Sequence, residues 1–266
     1  MKRKIRIGAF ISGGGSNLQA IIDACEAGRI DGQVVFVASD NPKAGGLERA
    51  RKHGIPTFVV DYSAIIRQYR ENPDQITPPA DFDLDEMWLK QHLFEPGTPW
   101  NTVQAFITTR AAAEAELLKK MAVFKTDLLV LAGFMRNLSP YFIDRFNIDE
   151  AHPRIMNIHP ALLPVFPGVD GYGDTFRYGC KIGGCTVHFI DYGEDSGPII
   201  GQKAFTIAED DTLETVKQKG LALEWRLYPE CIQLFAENRL ETITLTHTKD
   251  NGEVMQRRVV KIAQAK

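Results

Sequence analysis

Five apolar stretches, Ile5 to Ser12, Val34 to Ser39, Thr57 to Val60, Asp127 to Ala132 and Ile155 to His159, run almost without polar interruption. A strand wetted on one face alternates polar and apolar residues, whereas a continuous apolar run marks a strand covered on both faces, as in a parallel sheet. Amphipathic helical patterns separate most of these runs, at Ser16 to Ala27, Leu47 to His53, Arg110 to Phe124 and Pro140 to Phe146. The alternation predicts a doubly wound, mostly parallel α/β sheet, whose ligands bind beyond the carboxyl ends of the strands.

The remainder follows a different pattern. Gly184 to Ile207 reads as strand, turn, strand, with Gly193 and Gly197-Pro198 in the turn, and a long helix is expected from Thr212 to Glu237. The tail, 240–262, reads as a structural β-hairpin whose Asn251-Gly252 pair favours a type I′ turn. Between the third strand and Arg110 lies an insertion, 63–106, containing Pro73, Pro78, Pro79, Pro96 and Pro99, an acidic run from Asp81 to Glu86, and Trp88 and Trp100. A connection of that length is a lid, an interaction element or a mobile insertion, and its aromatics argue against complete disorder. The expected organisation is one domain over 1–266 carrying this insertion and the C-terminal hairpin.

A chain of 266 residues with 44% hydrophobic content can bury a substantial core. Its net charge of −3 offers no broad basic field for nucleic acid or an anionic membrane, so an anionic ligand must be held locally. Met1-Lys2-Arg3-Lys4 precedes an apolar run that is short and broken by Arg6, which suits a first strand better than a signal peptide. No apolar segment approaches the roughly 20 residues of a membrane helix. Four cysteines lack the density of a disulfide scaffold, so the cytoplasm is the expected location. Cys180, Cys185 and His188 match no common zinc spacing and lack an evident fourth ligand, and no metal is expected.

Three local patterns bear on chemistry. Asn157 and His159, two apart on a strand, point to the same face and present an amide beside an imidazole at a strand end, with Pro160 and Pro164 closing the exit. Ser12-Gly13-Gly14-Gly15-Ser16-Asn17 joins the first strand to the first helix, where backbone N–H groups can meet a phosphate. Leu18 breaks the dinucleotide pattern and no Gly-Lys-Ser/Thr follows, which favours a small phosphomonoester; Ser16 with Gln19 also fits a plain capping box. Asp191, Glu194 and Asp195 share one turn, and a carboxylate from it near His159 would raise the imidazole pKa. Spacing alone does not choose among the three. His188 reads as a buried supporting residue.

Together these segments resemble the folate-dependent glycinamide ribonucleotide formyltransferase family. The resemblance rests on Ile11 to Ile22, Leu131-Ala132-Gly133-Phe134-Met135-Arg136, Asn157-Ile158-His159-Pro160, and Val187-His188-Phe189 with Asp195-x-Gly197-Pro198, in order between Ile5 and Pro229. It implies a Rossmann-like formyltransferase fold and transfer of a formyl group from 10-formyltetrahydrofolate to the primary amine of glycinamide ribonucleotide in purine synthesis, without metal. By this resemblance His159 is the catalytic imidazole, Asn157 polarises the formyl oxygen and Asp195 raises the pKa of His159. Gly15, Ser16 and Asn17 would hold the acceptor's phosphate, and Glu224 would contact its amine. Arg110 lies near the folate, and Met135, Arg136, Asn137 and Leu138 line the pterin pocket. The implied partners are small molecules, with no nucleic acid or membrane, and a homodimer is compatible with the resemblance.

Several positions depart from the family pattern. Asn137 replaces an apolar residue, Asp170 and Tyr172 stand in a stretch that usually contains histidine, and Leu221 replaces a polar residue near the acceptor. Another small amine, or water as in a formyltetrahydrofolate hydrolase, therefore stays open as the acceptor. A non-enzymatic folate-binding relative is disfavoured by the intact Asn157, His159 and Asp195.

Overall fold

Leu128 and Val130 pack into one apolar core while Leu129 and Leu131 pack into another, so the strand they form is covered on both faces. A computed structural model of the protein describes residues 4–149 and 151–264, leaving Met1-Lys2-Arg3 outside. The elements are β1 (Ile5–Ile11), α1 (Ser16–Glu26), β2 (Gly32–Ser39), α2 (Gly45–Lys52), β3 (Thr57–Val59), α3 (Tyr62–Glu71), α4 (Leu84–Lys90), α5 (Trp100–Met121), β4 (Leu128–Leu131), α6 (Pro140–Phe146), β5 (Ile155–His159), α7 (Gly171–Arg177), β6 (Ile182–Phe189), β7 (Ile199–Thr206), α8 (Leu213–Ala236), β8 (Leu240–Thr248) and β9 (Val254–Ile262).

Strand order in the main sheet is β3-β2-β1-β4-β5-β6-β7. The first five are parallel and β6 and β7 are antiparallel additions. The chain leaves β1 towards β2 on one side and returns on the other as β4, so the carboxyl ends of β1 and β4 diverge into a crevice. Bonds from Ser12 N–H to the Gly133 carbonyl (2.9 Å) and from Met135 N–H to Ser12 Oγ (2.8 Å) fix its floor.

The insertion folds as helices, and its acidic run has structural tasks. Asp83 caps α4 by accepting from Glu86 N–H at 2.9 Å, Asp85 and Glu86 occupy the helix's first turn, and Asp81 accepts from Tyr141 Oη at 3.0 Å and Arg145 Nη2 at 2.6 Å. Met87, Val103, Ile107, Ala111 and Tyr141 form a small core beneath it. Trp88 meets Trp100 edge-on at 5.5 Å.

Two expectations need correction. Arg110 lies mid-helix, because α5 starts at Trp100, directly after Pro99; the repeat Val103, Ile107, Ala111 continues the helical stripe back into the proline-rich segment. The tail hairpin is present, but its turn is not type I′. Gly252 has φ +83° and donates to the Lys249 carbonyl at 2.9 Å, while Asn251 has no positive φ. A type I′ turn needs positive φ at both central residues. Here Asn251 Oδ1 instead accepts from Glu253 N–H at 3.0 Å, and the loop is longer than two residues.

Glu114 of α5 is fully buried and accepts from both the backbone N–H (2.8 Å) and the hydroxyl of Ser139, the residue that precedes α6. Burial pushes its pKa up to about 8, against the lowering effect of the Ser139 bonds. The folded state therefore holds a proton that the unfolded state releases near the ordinary value of 4.5. Stability from this group is complete at low pH and is lost as pH rises towards about 8. Glu114→Gln keeps the acceptor for Ser139 N–H and removes the titration. Melting temperatures measured from pH 5 to pH 9 should fall more steeply for the wild type than for Glu114→Gln; parallel curves would refute the assignment.

Candidate active site

The carboxyl ends of β1, β4 and β5 open into a cavity of about 470 Å³, within the range of small-molecule sites. On β5, Ile155, Asn157 and His159 share one face, and Asn157 and His159 stand at its carboxyl end. His159 is 2% exposed. Its Nδ1 is 3.0 Å from Asp195 Oδ2 and its Nε2 is 2.8 Å from the Phe166 carbonyl oxygen. Only a ring protonated on both nitrogens donates to both acceptors at once. Burial pushes the imidazole pKa down, but the hydrogen bond and charge of Asp195, with the Phe166 carbonyl, outweigh it and raise the pKa overall.

Asp195 is the member of its turn that faces His159. It adopts φ +49°, a left-handed conformation that a short polar side chain tolerates. Burial would raise its pKa, yet the His159 bond and charge and the Gly168 N–H at 2.8 Å hold it well below the usual carboxylate range. Asp191 is consumed within the turn, accepting from Gly193 N–H at 3.1 Å and Ser196 Oγ at 2.5 Å, and Glu194 is exposed. His188, opposite Asn157 on β6 and fully buried, has Nδ1 2.9 Å from the Phe189 carbonyl. That contact places a proton on Nδ1, and Nε2 lies 3.2 Å from Asn157 Nδ2 and 3.5 Å from Asp195 Oδ1.

On one side of this pair the wall suits a flat apolar ring. Met135, Asn137 and Leu138 line it, with Leu138 buried and Met135 57% exposed. Arg110 lies over the rings of Phe106 and Tyr62, at 4.6 Å and 5.1 Å, and its buried Nε and Nη1 have no hydrogen-bond partner among the described residues. A buried guanidinium with unspent donors fits a ligand carboxylate. Arg136 also borders the cavity but is bound to Asp40 Oδ2 at 2.6 Å and Ser63 Oγ at 3.1 Å.

On the other side stands Glu224 of α8, 4% exposed, whose Oε2 accepts from Asn17 Nδ2 and whose Oε1 accepts from Tyr172 Oη, each at 2.6 Å. Burial raises its pKa more than these two donors lower it. Asn17 is in the cavity wall, whereas Gly15 and Ser16 stand outside it at the start of α1. The capping box that Ser16 and Gln19 also fit does not form: Gly15 is the cap residue at φ +73°, and Gln19 turns to Asp23 at 2.8 Å. A Cβ at Gly15 would fall 2.7 Å from Gly46 Cα. Among the described residues no side chain caps α1, which leaves its first amides for an anion.

A family model described as formyl transferase matches residues 5–232. The chain belongs to the formyl transferase family. It is 33% identical over 228 residues to the phosphoribosylglycinamide formyltransferase of Bacillus subtilis (strain 168), covering 86% of this chain and 93% of that relative. The enzyme of the same name from Escherichia coli (strain K12) is 33% identical over 237 residues, 89% and 90% of the two chains. Glycinamide ribonucleotide transformylase 1 from Symbiobacterium toebii superposes with a TM-score of 0.72 at 36% identity, covering 99% of this chain and 96% of that one.

Other wall residues of the cavity escape sequence reasoning. Lys217 and Ile190 line the cavity without belonging to any recognisable motif. Tyr172 is visible only as a departure from the family pattern, because its partner lies 52 residues away. Gly220, in the interior of a long helix, is the one local signal that something packs closely there.

Removing the charge of Asp195 while keeping its shape should lower the His159 pKa, since the main opposition to burial is then lost. Histidine NMR titration of Asp195→Asn against wild type measures this directly. An unchanged or higher His159 pKa would show that Asp195 is not what charges the ring.

Proposed function

We propose that this formyl transferase moves a formyl group from 10-formyltetrahydrofolate to the primary amine of glycinamide ribonucleotide, with His159, Asn157 and Asp195 at the reacting carbon. What supports this most is the setting of His159: a buried ring with an acceptor at each nitrogen, Asp195 on one side and the Phe166 carbonyl on the other, which favours its charged form. Attack by the amine lone pair makes the new N–C bond and moves the carbonyl pair onto oxygen. The His159 N–H and the Asn157 amide stabilise that oxyanion, the formyl oxygen taking the acceptor place that the Phe166 carbonyl holds in the free protein. Collapse breaks the carbon bond to folate N10, which gains a proton as the amine nitrogen loses one. His159 is placed to supply that proton.

The two walls divide the substrates. Met135 to Leu138 receive the pterin and Arg110 a carboxylate of the folate; Glu224 accepts from the amine, and Gly15, Ser16 and Asn17 at the uncapped start of α1 hold the phosphate. An open helix terminus beside Glu224 favours a phosphorylated amine over water. Free thiols at Cys25, Cys180, Cys185 and Cys231 suit a reducing cytoplasm, and among the described residues no helix is long and apolar enough to cross a membrane.

The segment 63–106 enters this reading as a brace for the Asp195 loop. His92 N–H bonds the Tyr192 carbonyl at 2.9 Å, Tyr192 Oη bonds Asp144 Oδ1 at 2.5 Å, and Lys90 Nζ holds the other oxygen of Asp144 at 2.7 Å. Tyr192→Phe should raise the folate KM about fivefold, the scale of one lost hydrogen bond of order 1 kcal/mol, without unfolding the protein. Unchanged steady-state constants would remove the brace.

Incubation with 10-formyltetrahydrofolate should release tetrahydrofolate only when glycinamide ribonucleotide is present. His159→Ala should lower kcat by about 100-fold or more with near-native circular dichroism. Release in water alone would make the protein a hydrolase, and near-normal kcat in His159→Ala would remove that residue from its role.

A further inference from the structure

Tyr172 stands apart from Asn157, His159 and Asp195, yet it is built into the acceptor wall beside Glu224. It is 5% exposed, on the first turn of α7, with its ring against Phe205 at 6.3 Å. A Cβ at Gly220 would lie 2.1 Å from Tyr172 Cζ and 2.4 Å from Oη, so the ring rests on bare α8 backbone. Glycine in a helix interior costs about 1 kcal/mol relative to alanine; at position 220 that cost admits the tyrosine. The hydroxyl thereby reaches Oε1 of Glu224, one turn further along α8, while Asn17 takes Oε2. Each carboxylate oxygen has one donor fixed and one lone pair left for the cavity.

We propose that Tyr172, seated on Gly220, is a positioning residue that sets which acceptor the site takes: it aims the Glu224 carboxylate so that a primary amine, and not water, is captured beside His159. This deepens the formyl-transfer reading and rests on it. Leu221 adds an apolar patch beside the same carboxylate, and Asp170 is engaged by Arg177 at 2.8 Å and by Lys217 at 3.7 Å. Glu224 is therefore the buried carboxylate that this wall offers to a nitrogen. The groups that face it are His159 from β5, Tyr172 from α7, Cys185 from β6 and the neutral Asn17 from α1. Burial pushes the Cys185 thiol to about 12 and holds the Tyr172 hydroxyl far above its ordinary value, so both stay protonated. His159 is then the one cation among them.

Tyr172→Phe keeps the ring and its seat and deletes only the donor. Expected are an acceptor KM raised about tenfold, the scale of a lost bond to a charged group, a folate KM unchanged, and an acid limb of kcat/KM for the amine displaced to higher pH, because Glu224 loses a bond that favours its ionised form. Formyl release to water relative to amine should rise in the same variant. Gly220→Ala, which pushes the ring aside, should reproduce the acceptor defect in the wild-type background and add little in a Tyr172→Ala background. Wild-type acceptor KM and an unmoved acid limb in Tyr172→Phe would overturn the proposal. A second measurement needs no substrate: the carboxyl ¹³C titration of Glu224, assigned with Glu224→Gln, should shift upward in Tyr172→Phe, and an unmoved titration overturns the positioning role. Failure of the activity reading looks different, since wild type would then show no amine-dependent turnover whatever Glu224 does; that result would sink the acceptor-selecting role along with it.

Discussion

Asp195 accepts from His159 Nδ1 at 3.0 Å and from Gly168 N–H at 2.8 Å, and this one carboxylate joins the end of β5, the loop that follows it and the turn between β6 and β7. A buried ion pair is a weak source of stability, because desolvating two charges offsets most of their attraction. Its value here is geometric. The same loop that donates Gly168 N–H to Asp195 also turns the Phe166 carbonyl, at φ +55°, onto His159 Nε2. Both ends of the charged pair are therefore gripped by one short segment, and the ring has a single orientation towards the cavity.

The cavity contains a second buried carboxylate with the opposite bias. Asp195 has a cationic neighbour and is held well below the carboxylate range, whereas Glu224 has two neutral donors and burial raises it. Environments that push like groups apart separate their roles. Asp195 is biased towards the anion that favours a charged imidazole, whereas burial biases Glu224 towards holding a proton and so towards a cationic partner. His159 lies between them and feels both. One half of the site is thus committed before substrate arrives, and the other half responds to it.

How much of this was legible in the sequence follows from how local each signal is. The strands of the parallel sheet announce themselves because a strand covered on both faces must be apolar throughout, and Asn157 and His159 are tied by the period of a strand. The glycine loop was legible as a strand-to-helix turn with open backbone, but not the failure of its capping box, since Gln19 is drawn to Asp23 by the geometry of α1 itself. The choice of Asp195 over Asp191 and Glu194 needs the turn's left-handed residue and the position of Gly168, neither of which spacing conveys. The start of α5 was hidden by prolines that in fact precede it, and the hairpin turn by an Asn-Gly pair whose asparagine bonds Glu253 instead of adopting positive φ.

The segments least typical of a doubly wound sheet converge on the same turn. The insertion reaches Ile190 to Pro198 through His92 and, by way of Asp144, through Tyr192. The C-terminal hairpin, beyond the residues 5–232 that match the family, reaches it through Arg257, whose Nη2 donates to the Ser196 carbonyl at 3.0 Å. A turn on the open end of a sheet belongs to the low-stability part of a fold, and one that carries a left-handed aspartate has added reason to relax. Contacts on either side of Asp195, at Tyr192 and Ser196, restrict that relaxation without touching the carboxylate itself. The turn is held by its neighbours, which leaves both Asp195 oxygens to accept from His159, Asn157 and the Gly168 N–H.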